Sequence, residues 1–281
     1  MLVAVDNQNN RCIAWLTEKT QAPFHCPACN EVVVLKKGKI REHHFAHKPP
    51  TSCSYATGES QKHYKVKREI FTALVKHANC SKCDIERPLS GVRPDISLYI
   101  GNTPVAIEIQ RSNIDIELIE KRTRQYTKLG ISLLWVFPDN SPPNSTFIEE
   151  KDIEVWRPKE WQKYIHAMYF GRIYFWQHDA IVKSYHLSSY RYYVEAGNWV
   201  EDFYDDSGTD LEGTYWHDEH HPEADYGGNW RTSKTKRQLH PGEELHIAEA
   251  FQKKMRGSFH SKYWSLPKAN LWIDKNKNWW K

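Results

Sequence analysis

No hydrophobic run in the sequence approaches the roughly 18 apolar residues that a membrane-crossing helix needs, which excludes a chain built around such helices. The opening stretch, MLVAVDNQNN, lacks a basic patch followed by an apolar segment, so no secretory signal is expected and the cytoplasm is the expected location. Cysteine is absent beyond residue 83; the six cysteines sit at 12, 26, 29, 53, 80 and 83. Four of them form two Cys-x-x-Cys pairs, a spacing that points to metal or redox chemistry rather than a disulfide framework. A strong charge of one sign is also missing, since the net charge is only +4. No internal repeat is present, which excludes a solenoid or propeller. With 40% hydrophobic and 26% charged residues, the composition is that of a soluble globular protein, and 281 residues suit two or three compact units.

What is present is unevenly distributed. Residues 1–140 hold 20 Lys and Arg against 14 Asp and Glu, whereas residues 141–281 hold 19 against 21. The first half is therefore the place to expect contact with a polyanion. Tryptophan runs the other way, with ten of twelve beyond residue 155. Composition divides the chain into residues 1–56, rich in Cys and His; 57–150, with an alternating α/β pattern; and 151–281, rich in Trp. The Ser141–Ser145 stretch, SPPNS, marks a turn or linker.

The middle segment carries the clearest periodicities. Residues 59–77 place Tyr64, Ile70 and Leu74 at helical spacing between basic residues. In VRPDISLYIGNTPVAIEIQ, Ile96, Leu98 and Ile100 alternate with Asp95, Ser97 and Tyr99. After Gly101-Asn102, Val105, Ile107 and Ile109 alternate with Ala106, Glu108 and Gln110, giving a β-hairpin with one apolar and one polar face. Residues 113–129 form an amphipathic helix with Ile116, Ile119 and Tyr126 inward and Ser112 or Asn113 as its cap. Residues 131–137, ISLLWVF, are apolar on both faces, as in a buried strand reached through a crossover helix. The order is α-β-β-α-β, an α/β core.

On the polar face of that hairpin, Glu108 and Gln110 are same-side neighbours and Asp95 lies across from them. An acid set between isoleucines in a buried strand needs a metal or a cation beside it. Two convergent carboxylates form a hard-oxygen site suited to Mg²⁺ or Mn²⁺. A second donor set lies upstream. Cys26-Pro27-Ala28-Cys29 is a knuckle, and Cys53 with His47, or with His44 in its place, completes an S₃N set suited to structural Zn²⁺. Such a zinc-ribbon-like segment could present Lys36, Lys37 and Lys39 to phosphates. Cys80 and Cys83, near His77, have no matching fourth ligand and are expected as free thiols in a loop between helix and strand. In the Trp-rich region, short strands are expected together with one helix over 241–256, giving an α+β unit; its aromatics are expected mainly to fill a core. The WHDEHH stretch reads as an acidic solvated loop.

Read together, RPDISL, AIEIQRS, KRTRQYTKLGI and LLWVF resemble the CoiA-like competence protein family. The upstream CPAC, HFAH and Cys53, followed by ESxxHxxxK (Glu59, Ser60, His63, Lys67), agree with it, and GRIYFW at 171–176 extends the likeness. The resemblance implies a PD-(D/E)xK-like nuclease core, with Asp95, Glu108 and the Ile109 carbonyl as Mg²⁺ or Mn²⁺ ligands. Gln110 then stands where such nucleases usually have a lysine, and it carries neither a charge nor a proton to give. Glu59 and His63 would face the site from the first helix, and Lys67 would continue that face toward nucleic acid. The implied activity is a metal-dependent endodeoxyribonuclease acting on DNA in transformation or recombination, alongside recombination or DNA-uptake proteins. A DNA-binding accessory protein that no longer cleaves, or a nuclease of defence against foreign DNA, remain the alternatives.

Overall fold

The computed structural model describes residues 1–56, 59–194 and 228–275, together with the backbone alone of 198–204 and 210–216. Of the WHDEHH stretch, residues 217–221 lie outside the described residues. The first segment forms a small sheet from β1 (Val3–Val5), β2 (Arg11–Ile13), β3 (Phe24–His25), β4 (Val32–Lys36) and β5 (His44–His47), in the order β2-β1-β3-β4-β5. Its own core is slight: Met1, Ala4, Ala14, Phe24, Cys26, Val33, Leu35 and Phe45. Leu2 and Val3 pack instead with the main core, so this sheet is docked on the rest of the chain.

Helix α1 (Gln61–Val75) follows, its N-terminus capped by the Ser60 hydroxyl, which accepts the His63 N–H. Tyr64, Val66, Lys67, Ile70, Phe71 and Leu74 form its buried face. Next come β6 (Cys80–Ile85), β7 (Ile96–Ile100) and β8 (Thr103–Ile109), then α2 (Ile116–Lys128) and β9 (Ser132–Val136). The hairpin has the expected register, with Ile96 opposite Ile107 and Ile100 opposite Thr103. β8 and β9 pair in parallel, with Glu108 beside Trp135, so β8 is buried on both faces.

Four expectations change here. The first turn of α2 is entered through Asp115, without a side-chain cap. Asn113 instead accepts from Lys159, and Ser112 accepts from Gln110. Cys80 and Cys83 lie in strand β6 rather than in a loop; β6 extends the sheet beyond the hairpin, with Cys80 paired to Ile100.

The third change concerns residue 150. A second sheet takes β10 (Thr146–Ile148) and β11 (Ile153–Trp156), then, after α3 (Glu160–Met168), β12 (Ile173–His178) and the long β13 (Ile181–Val194). β14 (Asn198–Tyr204) and β15 (Asp210–Trp216) form a ribbon, and β16 (Asn229–His246) returns along β13, giving the order β10-β11-β16-β13-β12. The chain then re-enters the first large sheet: β17 (Phe251–Arg256), the short pair β18 (Phe259–His260) and β19 (Ser265–Leu266), and β20 (Ala269–Asp274). β20 pairs in parallel with β9 through Leu271 and Leu133, completing the six-stranded order β17-β20-β9-β8-β7-β6. One hydrophobic core runs from Leu2 through Leu134 and Trp156 to Trp272, so the composition change near residue 150 is not a boundary in the packing.

The expected helix over 241–256 is absent. Those residues finish β16, turn, and form β17, because pairing with β13 and β20 overrides local helical preference. Gly242 permits the approach: a Cβ there would sit 2.3 Å from the Ser184 Oγ and 3.0 Å from its carbonyl oxygen. The region is still α+β, but its helix is α3. Trp156, Trp161, Trp176 and Trp272 are core residues, as expected of its aromatics, whereas Trp230 is exposed.

Candidate active site

The start of β7, the end of β8, the N-terminal half of α1 and the outer face of α2 converge on an open cleft of about 1210 Å³. Asp95, Glu108, Ile109, Gln110, Glu59 and His63 all line it. Asp95 is almost fully buried, and its Oδ2 accepts the Ile109 N–H at 2.8 Å, which ties the first hairpin strand to the end of the second. The same oxygen lies 3.2 Å from the His63 Nε2, and Oδ1 lies 2.8 Å from the Lys67 Nζ. Burial alone would raise this carboxyl's pKa, but Lys67 and His63 outweigh burial and hold it well below the usual carboxylate range.

Glu108 meets the opposite balance. Its Oε1 accepts the Tyr126 O–H at 2.6 Å, and its Oε2 lies 3.2 Å from the Arg122 guanidinium. Burial pushes its pKa up, Arg122 only partly offsets that, and Asp95 adds to it, leaving the group at about 7. Glu59, His63 and Asp95 bring ligand atoms within 4.8 Å of one another, and Glu108 stands outside that set. The corner between α1 and β7 is therefore the tighter donor cluster. Around the cleft, the carboxylates of Glu59, Glu86, Asp95 and Glu108 meet the cations Lys67, Arg93 and Arg122. Glu59, Asp95 and Glu108 all line the cleft, and such hard oxygen donors suit a divalent cation.

Lys67 is not the nucleic-acid contact expected of it. It has no exposure to solvent, and its ammonium is enclosed by Glu59 at 2.9 Å, Glu86 at 2.8 Å and Asp95 at 2.8 Å. A lysine at a helix position four residues past His63 reads as part of the same outer face; here that face turns into the sheet. Burial opposes the charge, but Asp95, Glu86 and Glu59 push its pKa well above the ordinary lysine value. Gln110 reaches the cleft wall, yet its amide nitrogen donates to the Ser112 carbonyl at 2.8 Å. The sequence does not single out Glu86, Arg93 or Arg122, and marks Tyr126 only as an inward-facing helix residue. Arg122 and Tyr126 carry a legible signal, being four apart on the helix that faces Glu108.

The cysteine knuckle is assembled as its spacing suggests. Cys26, Cys29, His47 and Cys53 bring their ligand atoms within 4.8 Å, with Cys26 and Cys53 sulfurs 3.8 Å apart and the Cys29 sulfur 3.3 Å from the His47 Nε2. Tetrahedral zinc, with bonds of about 2.3 Å to sulfur and 2.0–2.1 Å to nitrogen, spaces two sulfurs by roughly 3.8 Å and sulfur from nitrogen by roughly 3.6 Å. The donor set and spacing fit that ion. His44 is not the fourth donor: its Nδ1 is 2.8 Å from the Glu42 carbonyl oxygen, and its ring stacks on Tyr64. The odd interval between His44 and His47 on β5 puts them on opposite faces. Lys36 and Lys39 are exposed, whereas Lys37 bonds the Thr17 carbonyl and Glu18. His77, expected near the Cys80–Cys83 pair, instead clusters with His246 and Glu249. Both ring Nδ1 atoms there accept backbone N–H groups, from Asn79 and Ala248.

Comparison with known proteins agrees with this division. Residues 5–56, which contain the cysteine pocket, match the family described as Competence protein CoiA, N-terminal domain. Residues 59–190, which contain the cleft's carboxylates, match Competence protein CoiA, nuclease-like domain. Competence protein CoiA of Bacillus subtilis (strain 168) is 29% identical over 114 residues, covering 40% of this chain and 31% of the relative. The match thus spans about a third of the length of that curated relative. No solved structure matches the chain. A cysteine pocket and a carboxylate cleft, each within its matching segment and in the same order, place this chain in the CoiA-like competence protein family.

Proposed function

We propose that the chain is a Mg²⁺- or Mn²⁺-dependent nuclease that cuts DNA, on a variant of the PD-(D/E)xK core, with a structural zinc in the N-terminal segment. The observation that carries this reading is the meeting of Asp95, Glu59, His63 and Glu108 in one open cleft whose walls include Arg93, Arg111, Lys121 and Arg122. Carboxylates at the floor and cations at the rim are the arrangement a phosphodiester needs: an anionic substrate is drawn in, and its reacting phosphorus meets hard donors. Asp95 with Glu59 would hold the cation, with Glu108 on the opposite wall. A bound divalent ion would supply Lewis acidity and a water of lowered pKa.

The protein's own groups divide the remaining work. Lys67 and the Ile109 N–H fix Asp95. His63, whose pKa is raised by Asp95 against the effect of burial, is a proton-carrying group within reach of the cleft, across from Glu108. Gln110, with its amide nitrogen on Ser112, serves the wall rather than proton transfer. That same feature favours a second reading, a DNA-binding accessory protein that no longer cleaves. The fold does not choose between competence, recombination and defence as the pathway.

The test is incubation with branched, single-stranded and duplex DNA in Mg²⁺ or Mn²⁺, beside Asp95→Ala and Glu108→Ala. Cleavage in at least one metal, reduced about a thousandfold or more by either variant, is expected. DNA binding without cleavage in either metal supports the accessory reading.

A further inference from the structure

The cysteine pocket and the cleft are joined by an unbroken set of contacts that passes through Glu86. This residue closes the turn after β6 with φ +50°, a conformation that L side chains seldom adopt and that persists where surrounding contacts over-determine it. Its side chain is almost wholly buried. Toward the first segment, Oε2 accepts the Leu2 N–H at 2.9 Å and the Val3 N–H at 3.3 Å, holding the start of β1. Toward the cleft, Oε1 accepts the Lys67 ammonium, which in turn holds Asp95. The Arg93 guanidinium lies 3.6 Å from Glu86 and covers the Tyr55 ring at 3.5 Å. Tyr55 donates its backbone N–H to the Cys53 sulfur at 3.4 Å.

We propose that Glu86 is a positioning residue that couples the cysteine pocket to Asp95, so that a filled pocket sets the cleft's affinity for a divalent cation. The physical argument is a competition for one ammonium. Lys67 is shared among Glu59, Glu86 and Asp95. When Glu86 is held in place by β1 and Arg93, it takes part of the Lys67 charge and leaves Asp95 more of its own for a cation. When the first segment loosens, Glu86 loses the Leu2 and Val3 donors and Arg93 loses its Tyr55 platform. Lys67 then settles on Asp95 and Glu59, and these carboxylates attract a divalent ion less strongly. The cation arm rests on the proposed nuclease reading; the structural coupling does not.

The experiment uses the full zinc-loaded chain and measures Mn²⁺ affinity and hydrogen exchange at the Ile109 amide, whose acceptor is Asp95. Stripping zinc with a chelator, or introducing Cys29→Ser, should weaken Mn²⁺ binding about tenfold and speed Ile109 exchange by a similar factor, the usual size of coupling between sites. Zinc-loaded Glu86→Gln keeps the shape and an acceptor for β1 but not the charge. It should begin at the weakened Mn²⁺ affinity and change by less than about twofold when zinc is removed. Its DNA cleavage should show the loss in the metal concentration required, with KM for DNA unchanged. The proposal is overturned if wild-type zinc removal releases the amides of residues 1–56 while Ile109 exchange stays constant, or if Glu86→Gln responds to zinc as the wild type does. Should Glu86→Gln fail to fold, Cys29→Ser decides alone. Should Mn²⁺ fail to bind the wild type, the nuclease reading falls while Ile109 exchange still reports the coupling.

Discussion

The cysteine pocket and the carboxylate cleft each gather groups that repel one another or compete for protons, yet they are held by different means. His47 ends β5, whereas Cys26, Cys29 and Cys53 sit in the turn and loops beside strands of two to five residues, over a core of eight buried apolar side chains. Cys29 is exposed, and little besides the turn around it fixes its place. The cleft's carboxylates stand on, or at the ends of, α1 and the strands of a six-stranded sheet above a core that reaches from Leu2 to Trp272, and every one of them has a cation or a donor beside it. In the first region an ion is asked to make the structure; in the second the structure makes a place for an ion. The cost of losing a charge therefore differs between them, and that difference can be broken or sharpened by experiment.

The largest effect is expected at the pocket. Structural zinc sites contribute binding free energies on the order of 10 kcal/mol that double as folding energy. Zinc removal, or Cys26→Ser, should release the amides of β3, β4 and β5 to exchange and expose residues 1–56 to protease. The six-stranded sheet should remain protected. A purified chain without zinc whose first segment stays protected would erase the contrast.

Next is Lys67→Met, which removes the ammonium and leaves Glu59, Glu86 and Asp95 facing one another in a buried site. Breaking a buried ion pair by deleting one partner costs about 3–5 kcal/mol. Urea unfolding should show a loss of that size, and acidification should recover part of it. The sign follows from Glu86, whose folded pKa is lowered to about 2 by Lys67 and other cations against burial. Its stabilisation is present above the unfolded carboxylate pKa and is lost as pH falls toward about 2; without Lys67 only the Met1 ammonium and Arg93 are left to oppose burial.

Glu108 should behave in the reverse sense. Its folded pKa, pushed to about 7 chiefly by burial, lies above the unfolded value, so the folded chain binds the extra proton. Its contribution is fully present below the unfolded pKa and is lost as pH rises from about 4.5 to 7, on the order of 3 kcal/mol. The metal-free protein should lose stability across that window, and Glu108→Gln should flatten the loss. A wild-type curve as flat as the variant's would mean that Arg122 and Tyr126 already satisfy the ionised group.

How much of this could be read from the chain depends on whether the cause was local. Asp95 and Glu108 were legible because strand alternation put both on one face, and the turn at Gly101-Asn102 fixed their register. Cys26, Cys29 and Cys53 were legible from spacing, which left His47 and His44 as alternatives for the fourth ligand. The enclosure of Lys67 was not, since a helical face carries no mark of what packs against it, and Glu86 sits in DIERP, which reads as a turn. β20 was hidden for a different reason: its parallel partner β9 lies more than 130 residues earlier, and nothing local to ANLWID points there. The strands that replaced a helix over 241–256 share that origin, a preference overruled by distant pairing.

The smallest effect concerns Gln110, where the two regions' logic meets at a single side chain. If the cleft worked through a charged or proton-giving group at this place, Gln110→Ala would cost as much as loss of an essential acid–base residue, a factor of about 10² or more. The structure gives the side chain a lesser task. Its amide nitrogen bonds the Ser112 carbonyl, steadying the loop that leads from β8 into α2, while its backbone N–H holds the Val136 carbonyl and survives the substitution. Removing one such neutral hydrogen bond costs about 0.5–1.5 kcal/mol. Cleavage by Gln110→Ala should therefore fall by less than about tenfold, and Gln110→Lys should not exceed the wild type, because Lys67 and Arg122 already supply positive charge to the cleft. A hundredfold loss in Gln110→Ala, or a gain in Gln110→Lys, would mean that the end of β8 works as an acid–base position after all.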